Sequence, residues 1–332
     1  MIARRRVFLL VALAAVVAAG ATVAATLLTS SETPSGTPTS PSTGGVRPGV
    51  PPLLLDLGVR TDPEARALRR AAALYGRGRR RQAGRIFGRW GSLDARVGAA
   101  LSTWPEGLGR LETLAVEHPG SALVQLHRGL ALYWVGRPAA ARAAWRRAKT
   151  LDPDSSYAVR AGDLLHPELP IPGLPFFVPS FPSPPALARL SPPRQFAFLA
   201  ARARTGGVHE KLLFGTALQR LGRPRSAEKQ FLAAAALAPD DPDARVAAAV
   251  GLFDKDAPER AFGRLGPLTR SFPQAPTVRF HLGVLLLWLG RVDDAKRQFR
   301  LARSAAPSSR LGREATRFLR RLEGVGTNRT GR

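Results

Sequence analysis

The chain of 332 residues contains no cysteine. Disulfide bonds, thiolate metal sites, cysteine nucleophiles and cysteine-linked lipid anchors are therefore excluded. Lysine and acidic residues are also scarce, since only five Lys accompany 45 Arg against 24 Asp and Glu, which gives a formal net charge of +26. Because the arginines are spread along the whole chain, the excess favours a solvated surface over a basic stripe for nucleic acid. The alternative function is an electrostatic binder of anionic lipid, cell-wall polymer or nucleic acid through the Arg-rich surface.

The first 28 residues are predicted to be a signal anchor or transmembrane segment. Residues 7–28 carry no charge and follow three arginines at positions 4–6. A helix of about 22 residues just spans a hydrocarbon core of about 30 Å, and the arginines before it favour a cytoplasmic N-terminus. A cleaved signal peptide is the alternative, because residues 7–17 have signal-peptide length and residues 19–21 fit a cleavage site. Both interpretations place the rest of the chain outside the cytoplasmic membrane.

Two further stretches have the composition of unstructured chain. Residues 29–56 are a predicted linker, whose first part, residues 29–50, is rich in Ser, Thr, Pro and Gly. Such a sequence lacks the apolar side chains that would offset the entropy lost on ordering. Residues 324–332 form a short polar tail, which is predicted to be disordered.

The remainder of the chain contains an internal repeat of 34 residues. Equivalent positions at this interval are Pro239, Pro273 and Pro307, then Ala227, Ala261 and Ala295, then Phe231, Leu265 and Phe299. The strings LYWVGRPAAARAAW (132–145), LQRLGRPRSAEKQF (218–231) and LLWLGRVDDAKRQF (286–299) show the same register. A fixed period of this length is typical of a helical repeat array.

Each repeat predicts two amphipathic helices joined by a glycine turn. Small and apolar residues recur at i, i+3, i+4 and i+7, and the glycine between the two stretches can take the left-handed conformation that ends a helix. Gly283 in the first helix and Ala295 in the second are small where two helix axes must approach closely. Phe299 is expected to fill the space beside them.

This pattern resembles the tetratricopeptide repeat family, whose helix-turn-helix unit carries small residues, a large apolar residue and Pro at these offsets. The resemblance covers residues 122–155, 208–241, 242–275 and 276–309, and it is weaker in two earlier units around residues 71–87 and 94–119. The family's usual Trp at the start of the first helix is absent, with Gln125, Lys211 and Arg279 in its place.

The resemblance implies an all-α fold, a helix-turn-helix solenoid behind the N-terminal transmembrane helix. Two arrays are predicted, at residues 57–166 and 194–323, each of three units and each ending in a capping helix. A Pro-rich strap at residues 167–193 joins them, because so many prolines forbid a helix and favour an extended chain. Its Phe176, Phe177, Val178 and Phe181 are too apolar for a free linker, so we expect them to pack onto one or both arrays.

Catalytic chemistry has little support in the sequence, so we expect neither an enzyme nor a cofactor or metal site. His127 and His281 occupy the same repeat position, which indicates inherited structure, and neither has a His or carboxylate one turn away to share a metal. Carboxylate pairs such as Asp240 and Asp241 precede helices, where N-capping is the ordinary explanation. No stretch remains for a separate catalytic domain.

The predicted function is a scaffold that binds a protein or peptide partner outside the cytoplasmic membrane. The resemblance implies that the first helix of each unit lines a concave groove. Carried over residue by residue, the candidate groove positions are Leu123, Leu126, Leu130, Tyr133, Trp134, Phe280, Val284, Leu287 and Trp288. Apolar and aromatic side chains of this kind can anchor a partner. Since large bare apolar patches are rare, cover by the Pro-rich strap or by the other array is the alternative for these residues.

Overall fold

The structure is a computed structural model that describes residues 47–327. The predicted transmembrane segment at residues 1–28, most of the linker and the last five residues of the tail lie outside the described residues. Within residues 47–327, no helix combines the length and the apolar character needed to cross a bilayer. The described part of the chain contains fifteen α-helices and no β-strand, which confirms the all-α class.

The helices fall into two compact units, which meet in sequence between Leu165 and His166. The helices of the first unit are α1 (Pro63–Gly76), α2 (Arg80–Phe87), α3 (Leu93–Ser102), α4 (Gly107–Glu117), α5 (Ala122–Trp134), α6 (Pro138–Leu151) and α7 (Ser156–Leu165). Those of the second unit are α8 (Pro192–Thr205), α9 (Val208–Arg220), α10 (Pro224–Leu237), α11 (Pro242–Gly251), α12 (Glu259–Ser271), α13 (Pro276–Trp288), α14 (Val292–Ala305) and α15 (Arg310–Thr327). A short 3-10 helix, Pro185–Arg189, precedes α8.

The helix starts follow from local sequence. Asp241 accepts a hydrogen bond from the N–H of Ala244, and Ser121 does the same for Val124, so both are N-caps. The turns inside four helix pairs also share one geometry, in which a glycine takes a positive φ. After the turn between α13 and α14, for example, the N–H of Arg291 donates to the carbonyl of Leu286 at 2.9 Å. This is the Schellman arrangement, which closes the first helix of the pair and starts the second.

Glycine and a large aromatic side chain fix the distance between paired helices. A Cβ at Gly283 of α13 would lie 2.8 Å from Cε1 of Phe299 in α14. The same contact occurs between successive pairs in the first unit, where a Cβ at Gly98 of α3 would lie 2.7 Å from the ring of Phe87 in the preceding helix, α2. Both rings are fully buried. The small residue is therefore required because the ring of the partner helix occupies the place of its side chain.

The first helices of successive pairs pack side by side within each unit. In the first unit, α1, α3 and α5 contact one another in sequence, and α7 contacts α5 and α6. In the second unit, α9, α11 and α13 form the equivalent layer, and α15 packs against α13 and α14. The helices α7 and α15 thus occupy the places predicted for capping helices. Each unit consequently presents one face that is lined by first helices.

The connection between α11 and α12 departs from the repeat. Asp256 stands where four of the helix pairs have glycine, and residues 252–258 form a longer turn. Lys255 of this turn is buried, and its ammonium group donates to the carbonyl of Ile171 at 2.9 Å. The lost glycine turn is therefore replaced by a contact with the Pro-rich strap.

Candidate functional site

An extended stretch of the chain lies along the layer of first helices in each unit. We call them the N-terminal segment (residues 47–57) and the central segment (residues 170–181), and neither contains a helix or strand. The N-terminal segment shares buried clusters with helices of the first unit. The central segment, which is part of the predicted strap, shares one with helices of the second unit. Proline favours this extended form because it fixes φ and removes a hydrogen-bond donor.

Two equivalent histidines hold the two segments in the same way. Nε2 of His127 accepts the backbone N–H of Leu54 at 3.0 Å, and Nε2 of His281 accepts that of Val178 at 2.9 Å. In each ring Nδ1 faces a carbonyl one helical turn earlier, that of Leu123 at 2.8 Å or Thr277 at 2.7 Å. Because a carbonyl can only accept, Nδ1 carries the proton and Nε2 is the acceptor.

Burial keeps both imidazoles neutral. His127 and His281 are completely inaccessible to solvent. Burial lowers the pKa of each to about 4, against which the hydrogen bond to the backbone carbonyl acts only weakly. At neutral pH each ring can therefore accept a main-chain N–H from an extended peptide.

Further contacts hold the ends of the N-terminal segment. The N–H of Arg47 donates to the carbonyl of Trp134 at 2.8 Å, at the end of α5. The guanidinium of Arg47 lies 3.9 Å above the ring of Tyr133, and its Nη2 donates to that hydroxyl at 2.6 Å. At the other end, the N–H of Asp56 donates to the hydroxyl of Tyr157 at 3.0 Å. Together with the bond from Leu54 to His127, three of these contacts involve backbone N–H groups of the segment, and the other two involve the guanidinium of Arg47.

The Tyr157 hydroxyl also binds a buried carboxylate. It donates to Oδ1 of Asp94 at 3.3 Å. Burial raises the pKa of Asp94, and it raises that of Tyr157 well above its usual range. The phenol therefore remains protonated, donates to Asp94 and accepts from Asp56.

Side chains of several helices bind the backbone of the central segment. Oε1 of Gln219 accepts the N–H of Phe177 at 2.9 Å, and Oδ2 of Asp243 accepts both the N–H and the hydroxyl of Ser180, at 2.9 and 2.7 Å. The indole of Trp288 donates to the carbonyl of Gly173 at 3.1 Å. The polar groups of a buried segment are thus satisfied from α9, α11 and α13.

Side chains of the central segment also belong to the hydrophobic core of the second unit. Phe177 is fully buried and stacks on the imidazole of His281, with a centroid distance of 5.0 Å and an interplanar angle of 20°. Its ring also meets that of Phe231 edge-on at 5.7 Å. Ile171 and Val178 are buried as well. This stretch is therefore part of the hydrophobic core of the second unit.

The structure places the nine predicted groove residues beneath or beside these segments. Seven are buried and Tyr133 and Trp134 are partly buried. The buried ones are Leu123, Leu126, Leu130, Phe280, Val284, Leu287 and Trp288. Their clusters include Leu53 and Leu57 of the N-terminal segment in the first unit, and Ile171 and Phe177 of the central segment in the second. The faces predicted as grooves are occupied by the chain itself.

The sequence did not identify the polar residues that form hydrogen bonds with the two segments. His127 and His281 were interpreted as inherited structure alone, and Tyr157, Gln219 and Asp243 were not considered as a set. A signal was present in the sequence, because a polar side chain on an otherwise apolar helix face needs a hydrogen-bond partner when it is buried. The N-terminal segment was also assigned to the linker, although its run from Leu53 to Leu57 is apolar enough to pack.

Residues 47–327 include no group of three or more His, Asp or Glu arranged to hold a metal ion. His166 comes nearest to such a group, since its Nδ1 lies 2.9 Å from Glu168 and its Nε2 lies 2.5 Å from Asp256. These two contacts connect the start of the Pro-rich strap to the turn between α11 and α12. The candidate functional site therefore consists of the helix side chains that bind the two extended segments.

Comparison with known proteins matches the middle of the second unit to a family. Residues 212–265, which run from α9 into α12, match the family described as tetratricopeptide repeat. The match supports a tetratricopeptide repeat protein. Tetratricopeptide repeat proteins are in general scaffolds without enzymatic activity, and their fold is typical of protein–protein interaction. No curated protein sequence matches the chain.

Several solved structures are similar to the chain at low identity. YrrB, described as a TPR protein with an unusual peptide-binding site, is 18% identical over 62% of this chain and 97% of that one, with a TM-score of 0.29. Yeast Tom70 is 13% identical over 84% of this chain and 67% of that one, with a TM-score of 0.30. The APC/C hetero-tetramer Cut9–Hcn1 is 15% identical over 78% of this chain and 56% of that one, with a TM-score of 0.28. At these scores they carry no conclusion about what this chain binds.

Proposed function

We propose that the protein is a non-enzymatic interaction scaffold whose first unit binds an extended peptide of a partner in place of the N-terminal segment. The observation that supports this most strongly is the pair of histidines, each of which accepts a main-chain N–H from an extended stretch of chain. A groove that binds the backbone accepts many sequences of the right shape, and its pockets then select among them.

The first unit is the better candidate because its segment is held less firmly. In the N-terminal segment, Leu53 and Leu57 are buried, whereas Leu54 and Leu55 are only partly buried. Residues 29–46, which precede it, contain Val46 as their single aliphatic or aromatic residue. The central segment buries Ile171, Phe177 and Val178 almost completely, and helices lie before and after it in the chain. Its release would therefore expose the hydrophobic core.

The contacts of the N-terminal segment define the ligand class. The partner peptide is extended, with apolar side chains at two positions four residues apart in place of Leu53 and Leu57. It has a free backbone N–H at the position of Leu54, since that group binds His127, and tolerates proline at positions without such a bond, as at Pro51 and Pro52. Bound in trans, this peptide would compete with a segment of the same molecule.

We further propose that the scaffold acts outside the cytoplasmic membrane and is tethered by residues 1–28. The support is the uncharged run of residues 7–28 behind three arginines. N-terminal sequencing of the protein recovered from solubilised membranes separates a retained anchor from a cleaved signal peptide. Recovery of the chain only from the cytoplasmic fraction would contradict export.

Release of the segment tests the proposed groove. The double variant Leu53→Asp and Leu57→Asp of the full chain should lose the segment from the groove, because two buried carboxylates cost several kcal/mol. We expect a fluorescent peptide of residues 47–57 to bind this variant with at least tenfold higher affinity than it binds the unchanged chain, measured by fluorescence anisotropy. Addition of Trp134→Ala should weaken that binding again. Equal affinity for the variant and the unchanged chain, with both folded by circular dichroism, would refute the proposal.

A further inference from the structure

A half-enclosed pocket lies in the second unit beside the end of the central segment. Its cavity has a volume of about 40 Å³, and the empty space is about 490 Å³ when the open solvent at its mouth is counted. Pro179 and Ser183 form one wall, α8 and α9 form two more, and Arg310 closes it from the start of α15. The pocket is separate from the backbone contacts of His281 and from the groove of the first unit.

Two guanidinium groups face this pocket with few acceptors. Arg220, the last residue of α9, has neither a hydrogen bond nor an ion pair with any residue in the described part of the chain. Nη1 of Arg310 donates to the carbonyl of Phe181 at 2.9 Å, but its Nε is buried with no acceptor among the described residues. Burial, and the charge of Arg310 after it, lower the pKa of Arg220 to about 10.

The nearby carboxylates make contacts with other residues. Oδ2 of Asp243 accepts two hydrogen bonds from Ser180, its Oδ1 is buried with no donor among the described residues, and Glu314 pairs with Arg317 at 2.6 Å. The charges of Glu314 and Asp243 raise the pKa of Arg310, whereas Arg310 is the one charged group that shifts the pKa of Arg220. Neither carboxylate lines the pocket, so its charged lining residues are the two arginines.

We propose that this pocket binds a small tetrahedral oxyanion, that is, a phosphate ion or the phosphate group of a small monoester. Guanidinium groups bind phosphate through paired, charge-assisted hydrogen bonds. The donors approach from three elements: α9 with Arg220, α15 with Arg310, and the strap with Ser183, whose hydroxyl has no partner within residues 47–327. Phosphate offers enough oxygens for all three, whereas a carboxylate has two. The proposal is independent of the groove of the first unit.

A bound oxyanion would connect the strap to α9 and α15 and so stabilise the second unit. The test is the melting temperature of the full chain in mild detergent, in sodium phosphate and in sodium chloride of equal ionic strength. We expect phosphate to raise it by about 5 °C at saturation, with a hyperbolic dependence on concentration. Parallel titrations with glycerol 3-phosphate distinguish a monoester from the free ion, and saturation by either supports the site.

The matched variants are Arg220→Gln and Arg320→Gln. Both remove one positive charge, but Arg320 is exposed on α15 and does not line the pocket. We expect Arg220→Gln to abolish the response to phosphate and to melt in chloride no lower than the unchanged chain, because it removes a buried charge that has no partner. Arg320→Gln should respond as the unchanged chain does. No response beyond chloride to either phosphate or glycerol 3-phosphate, or an equal response in all three proteins, would overturn the proposal.

Discussion

At the scale of single residues, two buried histidines explain how the units bind extended chain. His127 and His281 stand at the same repeat position, and each satisfies its two nitrogens with one carbonyl of its own helix and one N–H of a segment. A buried polar ring is costly without partners, so the position requires both the helix and the segment. The two rings therefore couple the presence of the segments to the stability of the helices.

The same histidines make stability depend on pH. Their pKa falls from 6.5 to about 4 in the folded chain, so between these values the unfolded chain binds protons that the folded chain does not. We therefore expect the free energy of unfolding to fall as the pH is lowered from 6.5 to 4, by up to about 3 kcal/mol for each histidine. Urea denaturation followed by circular dichroism measures this slope. The variants His127→Gln and His281→Gln keep a side-chain acceptor, and each should flatten the slope; an unchanged slope in both would contradict the account.

At the scale of the helices, glycine facing an aromatic ring fixes the paired packing. Gly283→Ala should lower the free energy of unfolding by about 1–3 kcal/mol, because the new methyl group would lie 2.8 Å from Phe299 in a filled core. The matched change Gly263→Ala lies on an exposed face of α12 with nothing within 4 Å, and it should raise stability by up to about 1 kcal/mol. The measurement is urea denaturation of both variants, and equal effects of the two substitutions would show that packing does not decide this position.

The central segment is an element of the core, although it has no regular secondary structure. Phe177→Ala should lower the free energy of unfolding by about 3–5 kcal/mol, since its ring is fully buried between His281 and Phe231. Leu237→Ala, at a residue that is 58% exposed in the same unit, is the control and should change stability by less than about 0.5 kcal/mol. A loss below about 1 kcal/mol for Phe177→Ala, measured by denaturation, would mean that this segment is not part of the core.

The helices could be predicted from the sequence, but the segments could not be placed. Helix pairs depend on local signals, and the 34-residue interval, the glycine turns and the N-cap residues all lie within one repeat. The contact between Leu54 and His127 joins residues 73 positions apart, and that between Val178 and His281 joins residues 103 positions apart. Neither contact produces a periodic pattern in the sequence. The aromatic residues of the strap predicted that it would pack, but the helix face and hydrogen bonds involved required the structure.

At the scale of the whole molecule, each unit combines three helix pairs, a final helix and an extended segment, and the second unit has the additional helix α8 before its pairs. The net charge of +26 comes from an excess of arginine. Many of these arginines have a structural role, because their side chains bind carbonyls or nearby carboxylates. Arg69 donates to the carbonyls of Arg60 and Gly58, and Arg80 donates to that of Trp104. The excess of arginine is therefore explained in part by structure and is no specific sign of nucleic-acid binding.

The central claim is that the first unit binds extended chain through its backbone and can exchange it. Insertion of a protease site after Gly58, an exposed turn residue, allows the N-terminal segment to be cut from the folded protein. Competition by synthetic peptides of residues 47–57 against a labelled copy then tests the claim directly. N-methylation at Leu54 removes the N–H that binds His127, whereas the N–H of Leu55 has no partner within residues 47–327.

We predict that the unmodified and Leu55-methylated peptides compete with similar affinity, and that the Leu54-methylated peptide competes about tenfold more weakly, as expected for one lost buried hydrogen bond. Failure of the labelled peptide to exchange into the cut protein, or equal competition by the two methylated peptides, would contradict the claim.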